Sequence, residues 1–175
     1  MSDSVNGSTI TDACKYLQQV YKECQEIFFK IDNLMKPEWK NVYGNRITKE
    51  VTSSLQEPKN WLVEAIFRFY ENSDKKTNKA LTISFWNHDG AIEEPIITAG
   101  KIIYSDISKR DHWDLWNLWF NRDEDEEWEP TGKVYTAKQK KYEYIQKAQL
   151  FSYPLIALRD DTELENKIFK PLKKL

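Results

Sequence analysis

Residues 61–104 decide the fold: WLVEAIFRFY (61–70), ENSDKKTNK (71–79), ALTISFWNH (80–88), DGAIEEP (89–95) and IITAGKIIY (96–104). The first, third and fifth stretches read as strands. Trp61, Val63, Ala65, Phe67 and Phe69 alternate with a more mixed set that includes Glu64 and Arg68. Leu81, Ile83 and Phe85 oppose Thr82, Ser84, Trp86 and His88, and the last run is rich in Ile with Thr98 and Gly100. Successive side chains of a strand point to opposite faces, so period-2 alternation with β-branched and aromatic content predicts three strands. The links between them are polar and too short for a crossover helix. The strands therefore return on one another as antiparallel hairpins, a meander.

Working outward toward the N-terminus, Ile10, Ala13, Leu17, Val20, Cys24, Ile27, Ile31 and Leu34 recur at alternating three- and four-residue spacing. Cys14, Tyr21, Phe28 and Met35 form a second column at seven-residue intervals. Together they predict a long amphipathic helix over 9–36 behind a flexible start, 1–8. Thr9 with Asp12 suits its N-cap, and Pro37 ends it. Its broad apolar face is expected to pack on the sheet. A homodimer seam is the alternative, because the heptad holds for nearly four repeats. Residues 37–58 are irregular, with a Gly44-Asn45 turn.

Toward the C-terminus, 108–121 predicts a helix with a capping-box-like start at Ser108 and Asp111. Trp113, Trp116 and Phe120 share one side, and Leu115, Leu118 and Trp119 widen it. An acidic run, 123–129, comes next and contains Trp128. Residues 133–150 fit either a helix or a hairpin arm. Leu150–Leu158 reads as a strand, and Thr162 with Glu165 caps a last helix that Pro171 stops. The whole predicts one α+β domain over 1–175, with a long N-terminal helix packed on an antiparallel meander sheet and further helices in 59–175. The element order is similar to small α+β sensor or scaffold domains of the profilin-like class. That analogy is one of order alone, and no motif carries it.

Composition bounds the function. The chain has 175 residues, 31% charged and 40% hydrophobic, which fits one globular domain. Its net charge of −2 lacks the concentrated basic excess that nucleic-acid binding needs. The polar start from Met1 to Thr9 is no signal peptide, and no run is long and apolar enough to span a membrane. Cys14 and Cys24, about 15 Å apart along one helix, cannot form a disulfide with each other. They read as buried thiols of a reducing, cytoplasmic compartment.

Catalytic signatures are few. The chain has 5 Gly, none clustered, which disfavours phosphate-cradling loops. Neither Cys has a local His, and no nucleophile elbow is present. His88 and His112, with Asp89, Asp111, Glu93 or Glu94, have the chemistry of a divalent-metal site if the fold gathers them. Their spacing does not require it, so no metal, cofactor or catalytic residue is assigned. Aromatics make up 14%, including 7 Trp. Indoles beside an acidic run suit a surface for a basic protein partner, or a platform for a planar ligand. The expectation is a non-enzymatic protein-interaction or binding module using Trp113, Trp116, Trp119, Trp128, Arg68, Trp86, His88 and His112. The alternative is a small-molecule sensor or metal-dependent enzyme with a pocket between sheet and helix.

Overall fold

The computed structural model describes residues 7–47, 62–86, 93–122, 127–137 and 142–175. Two compact units divide the chain, one ending at Leu34 and one running from Met35 to Leu175. The first is essentially one helix, α1, Gly7–Met35. It begins before the expected Thr9 cap, with the Thr11 hydroxyl donating back to the Gly7 carbonyl at 3.1 Å. Ile10, Tyr16 and Leu17 on it are exposed. Cys14 is an exposed free thiol and not the buried one expected.

The second unit is built on a six-stranded antiparallel sheet. In chain order its strands are β1 (Lys40–Asn41), β2 (Ala65–Glu71), β3 (Thr77–Ser84), β4 (Ile96–Tyr104), β5 (Tyr135–Ala137) and β6 (Ile145–Pro154). Their spatial order is β1-β2-β3-β4-β6-β5. The expected meander is β2-β3-β4, paired through Phe67↔Thr82 and Thr82↔Thr98. β3 and β4 are central strands covered on both faces, so polar Thr82, Ser84 and Thr98 are buried as deeply as their apolar neighbours. The α+β plan therefore holds.

Within the ambiguous segment the described residues supply β5 and the first part of β6. β6 starts at Ile145, runs through the proposed break at Leu150 and ends at Pro154, where a missing N–H can no longer serve the ladder. Residues 108–121 hold less helix than expected. A 3-10 turn, Ile107–Lys109, comes first, capped by Asp106, whose carboxylate accepts from the Ser108 N–H at 3.0 Å. Only Asp114–Phe120 is α-helical, here α2. The cap of the C-terminal helix lies two residues before the expected one, because the Asp160 carboxylate accepts from the Glu163 N–H at 2.8 Å. It runs through a π turn, Glu165–Phe169, and continues over Lys170–Lys174. Pro171 does not stop it, since the wide turn just before is where the ladder does without the missing donor.

The strand register defines two faces. One carries Phe67, Phe69, Ala80, Ile102, Tyr104, Ala148 and Leu150, and meets Leu115, Leu118 and Trp119 of α2 in one apolar core. Gly100 lies beneath α2. A Cβ there would meet Leu115 Cδ1 at 3.0 Å and the Gln149 carbonyl at 2.8 Å, so its lack of a side chain lets helix and sheet approach. The other face carries Leu81, Ile83, Ile97, Ala99 and Phe151, all buried. The C-terminal helix is tied to that face. Lys79 of β3 donates to the Lys173 carbonyl at 3.2 Å, and Lys101 of β4 donates to Leu175. Among the described residues no helix is long and apolar enough to cross a membrane.

Candidate functional site

α2 has an aromatic side chain on nearly every turn, and the sheet decides which of them turn inward. Leu115, Leu118 and Trp119 go to the core. The remaining positions, Trp113, Trp116 and Phe120, keep three- and four-residue spacing and line the outer side, each half-buried. Their rings form a chain of edge and tilted contacts. His112 and Trp113 lie 5.9 Å apart, Trp113 and Trp116 5.6 Å, and Trp116 and Phe120 4.7 Å, between centroids. Trp116 Nε1 is covered from solvent and has no acceptor among the described residues.

A buried polar cluster fixes the start of α2. Asp114 is 1% exposed. Its carboxylate accepts from the Tyr104 hydroxyl at 2.7 Å, the Tyr144 hydroxyl at 2.6 Å and the Asp111 N–H at 2.9 Å. Burial pushes the Asp114 carboxyl above its ordinary range, and these donated bonds pull it back down. The same cluster pushes both tyrosines up, Tyr104 mainly through burial and then through the Asp114 charge. Beside it, Arg110 Nη1 bridges Glu71 at 2.9 Å and Asn78 at 2.8 Å. Each carboxylate and cation in this set is met by partners within the fold, which marks it as a positioning device for α2.

The end of α2 opens into a cleft of about 230 Å³. Ile96, Trp119 and Trp128 are its buried lining; Phe120, Arg122 and Pro130 are partly exposed, and Glu93 and Glu94 are exposed. Trp128 stacks on Tyr135 at 4.9 Å and meets Trp119 at 5.6 Å. The turn that returns the chain to β5 depends on Gly132. Its φ is +82°, and a Cβ there would fall 1.9 Å from the Tyr153 hydroxyl. The Arg122 guanidinium lies over both indoles, 5.9 Å from the Trp119 centroid and 5.7 Å from that of Trp128, and donates to the Trp119 carbonyl. In sequence, Asp123, Glu124, Asp125 and Glu126 fill the interval between Arg122 and Glu127.

The eight expected site residues thus fall into separate places. Trp119 and Trp128 line the cleft, and Trp113 and Trp116 form the ridge that leads to it. His112 joins the far end of that ridge and stacks on Phe67 at 4.4 Å. Arg68 sits elsewhere, 5% exposed, with Nη1 donating to the Gly44 carbonyl at 2.7 Å, which holds the loop after β1 to β2. Trp86 Nε1 donates to the Val63 carbonyl at 3.2 Å. His88, Asp89 and most of the acidic run lie outside the described residues. Among the described residues no group of three or more His, Cys, Asp and Glu is placed to hold a metal ion. The sequence pattern groups Phe120 with Trp113 and Trp116 without assigning it to the site, and it leaves Arg122 and Asp114 without a role.

No known protein family, curated protein or solved structure matches this chain.

Proposed function

We propose that this protein is a non-enzymatic binding module that docks a basic segment of a protein partner along α2. The carrying observation is the partly exposed aromatic ridge Trp113–Trp116–Phe120, which runs into a cleft lined by two more indoles. Interfaces draw most of their binding energy from a few aromatic and Arg anchors seated in such places. Size argues for the same reading. Cofactor and small-molecule sites usually occupy about 300–1,000 Å³. A cleft near 230 Å³ suits one side chain of a larger partner better. Glu93 and Glu94 at its exposed edge, with the acidic sequence after Arg122, favour a cationic partner.

The test is selection from a displayed random-peptide library on the wild-type protein and on a Trp113→Ala/Trp116→Ala variant with unchanged circular dichroism. Enrichment of basic peptides that is lost on the variant supports the module. Equal enrichment on both proteins, or enrichment of acidic peptides, refutes it.

A further inference from the structure

We infer that the cleft is an arginine-recognising pocket, and that Arg122, which lies over its indole wall, is an intramolecular competitor displaced when a partner's arginine stacks there. This rests on the binding-module reading and adds to it the identity of the anchoring side chain and a built-in competitor.

The geometry of the cleft wall carries the inference. A guanidinium already lies within 6 Å of both ring centroids, the range in which the negative face of an indole attracts a cation. Trp119 is 3% exposed and Trp128 8%, because both pack within the core, and Arg122 lies over the ring faces that they turn toward the cleft. A ligand that reaches those faces must therefore move Arg122. The chemistry that replaces it without loss is a second guanidinium, planar, always charged and weakly hydrated enough to stack. A lysine ammonium is compact and strongly hydrated, and fits such a slot less well. The exposed carboxylates of Glu93 and Glu94 line the same cleft and disfavour an anionic ligand. Arg122 also donates to the Trp119 carbonyl, at the end of α2, and so has an anchor of its own near the slot.

A covered indole wall lowers apparent affinity to the fraction of time it stands open. Removing Arg122 should therefore strengthen binding, whereas removing a side chain that contacts the ligand would weaken it. The two roles of Arg122 predict opposite signs, and this makes the inference testable with small probes.

The experiment is titration of the whole protein with N-acetyl-arginine amide, N-acetyl-lysine amide and N-acetyl-glutamate amide, read from the indole N–H resonances by NMR. Trp119→Phe and Trp128→Phe assign the relevant signals. Arg122→Ala is compared with wild type, and Arg122→Met, which keeps the apolar stem, serves if the alanine variant folds poorly. The expected result is that the arginine probe moves the Trp119 and Trp128 signals, and does so at least about ten-fold more tightly in the Arg122 variants. The lysine probe should be weaker and the glutamate probe silent. Weaker arginine binding in the variants, or a glutamate response that vanishes with Arg122, overturns the inference. If library-selected basic peptides move Trp113 and Trp116 but leave Trp119 and Trp128 unchanged, the module survives and the arginine pocket falls. If no probe or peptide moves any indole signal, both readings fall.

Discussion

Replacing Trp119 and Trp116 by alanine, one at a time, separates the core side of α2 from its ridge. Trp119 is 3% exposed and meets Trp128 at 5.6 Å and Tyr135 at 6.0 Å. Truncating a buried Trp to Ala costs about 3–5 kcal/mol, from lost transfer energy and the cavity left behind. Trp116 is half-buried and keeps two ring contacts, with Trp113 and Phe120. Two such pairs at about 0.5–1.5 kcal/mol each, less a few tenths gained from the better helix propensity of Ala, give a loss of about 0.7–2.7 kcal/mol. Between the middles of these ranges the gap is about 2 kcal/mol. At a urea slope of about 2 kcal/mol per molar it separates their midpoints by about 1 M. The assay is urea unfolding at 25 °C followed by far-ultraviolet circular dichroism, because tryptophan fluorescence changes with the substitutions themselves. Equal losses for the two variants, or a Trp119→Ala cost below about 1 kcal/mol, would refute the assignment of inner and outer sides.

Tyr104 holds its proton more tightly when folded, so its contribution is complete below the unfolded value near pH 10 and is lost as pH rises above it. Tyr104→Phe should therefore flatten the alkaline fall in stability by up to about 1.4 kcal/mol per pH unit, read from urea midpoints between pH 8 and 11. It should also cost about 1–3 kcal/mol at pH 7 by taking a donor from buried Asp114. Gly100→Ala should destabilise by about 1–3 kcal/mol in the same assay, because the new methyl meets Leu115, Leu150 and the Gln149 carbonyl, and a neutral result would mean that α2 does not lie closely on β4. Gly132→Ala should cost at least about 1–2 kcal/mol from its positive φ alone, and should shift the Trp128 indole resonance by disturbing the turn toward Tyr135.

The sheet was legible because its signal is local. Period-2 alternation and short polar links mark β2, β3 and β4 within one stretch of chain. The first half of β6 is not legible because 133–150 carries a mixed pattern, and the strand expected over Leu150–Leu158 runs past the true end, since Pro154 is the last residue of β6. The cap at Ser108 failed because several acidic residues compete there. Asp106 takes the Ser108 N–H, Asp111 takes that of Trp113, and Asp114 turns inward to Tyr104 and Tyr144. Periodicity could not sort the indoles, since α2 is aromatic on both sides and only the sheet beneath it chooses Trp119 for the core. The cleft joins Glu93, Glu94 and Ile96 to residues more than twenty positions later, a juxtaposition that no local pattern encodes.

The most direct measurement is calorimetric titration of the wild-type protein and of Glu93→Lys/Glu94→Lys with one arginine-bearing basic peptide taken from the library selection. Both carboxylates are exposed edge residues of the cleft, so reversal should leave the fold intact. Docking of a basic segment at the cleft predicts binding weakened by about ten-fold or more, with a reduced dependence on salt. Unchanged affinity in the reversed protein would contradict it and place the basic partner, if one binds, elsewhere on the molecule.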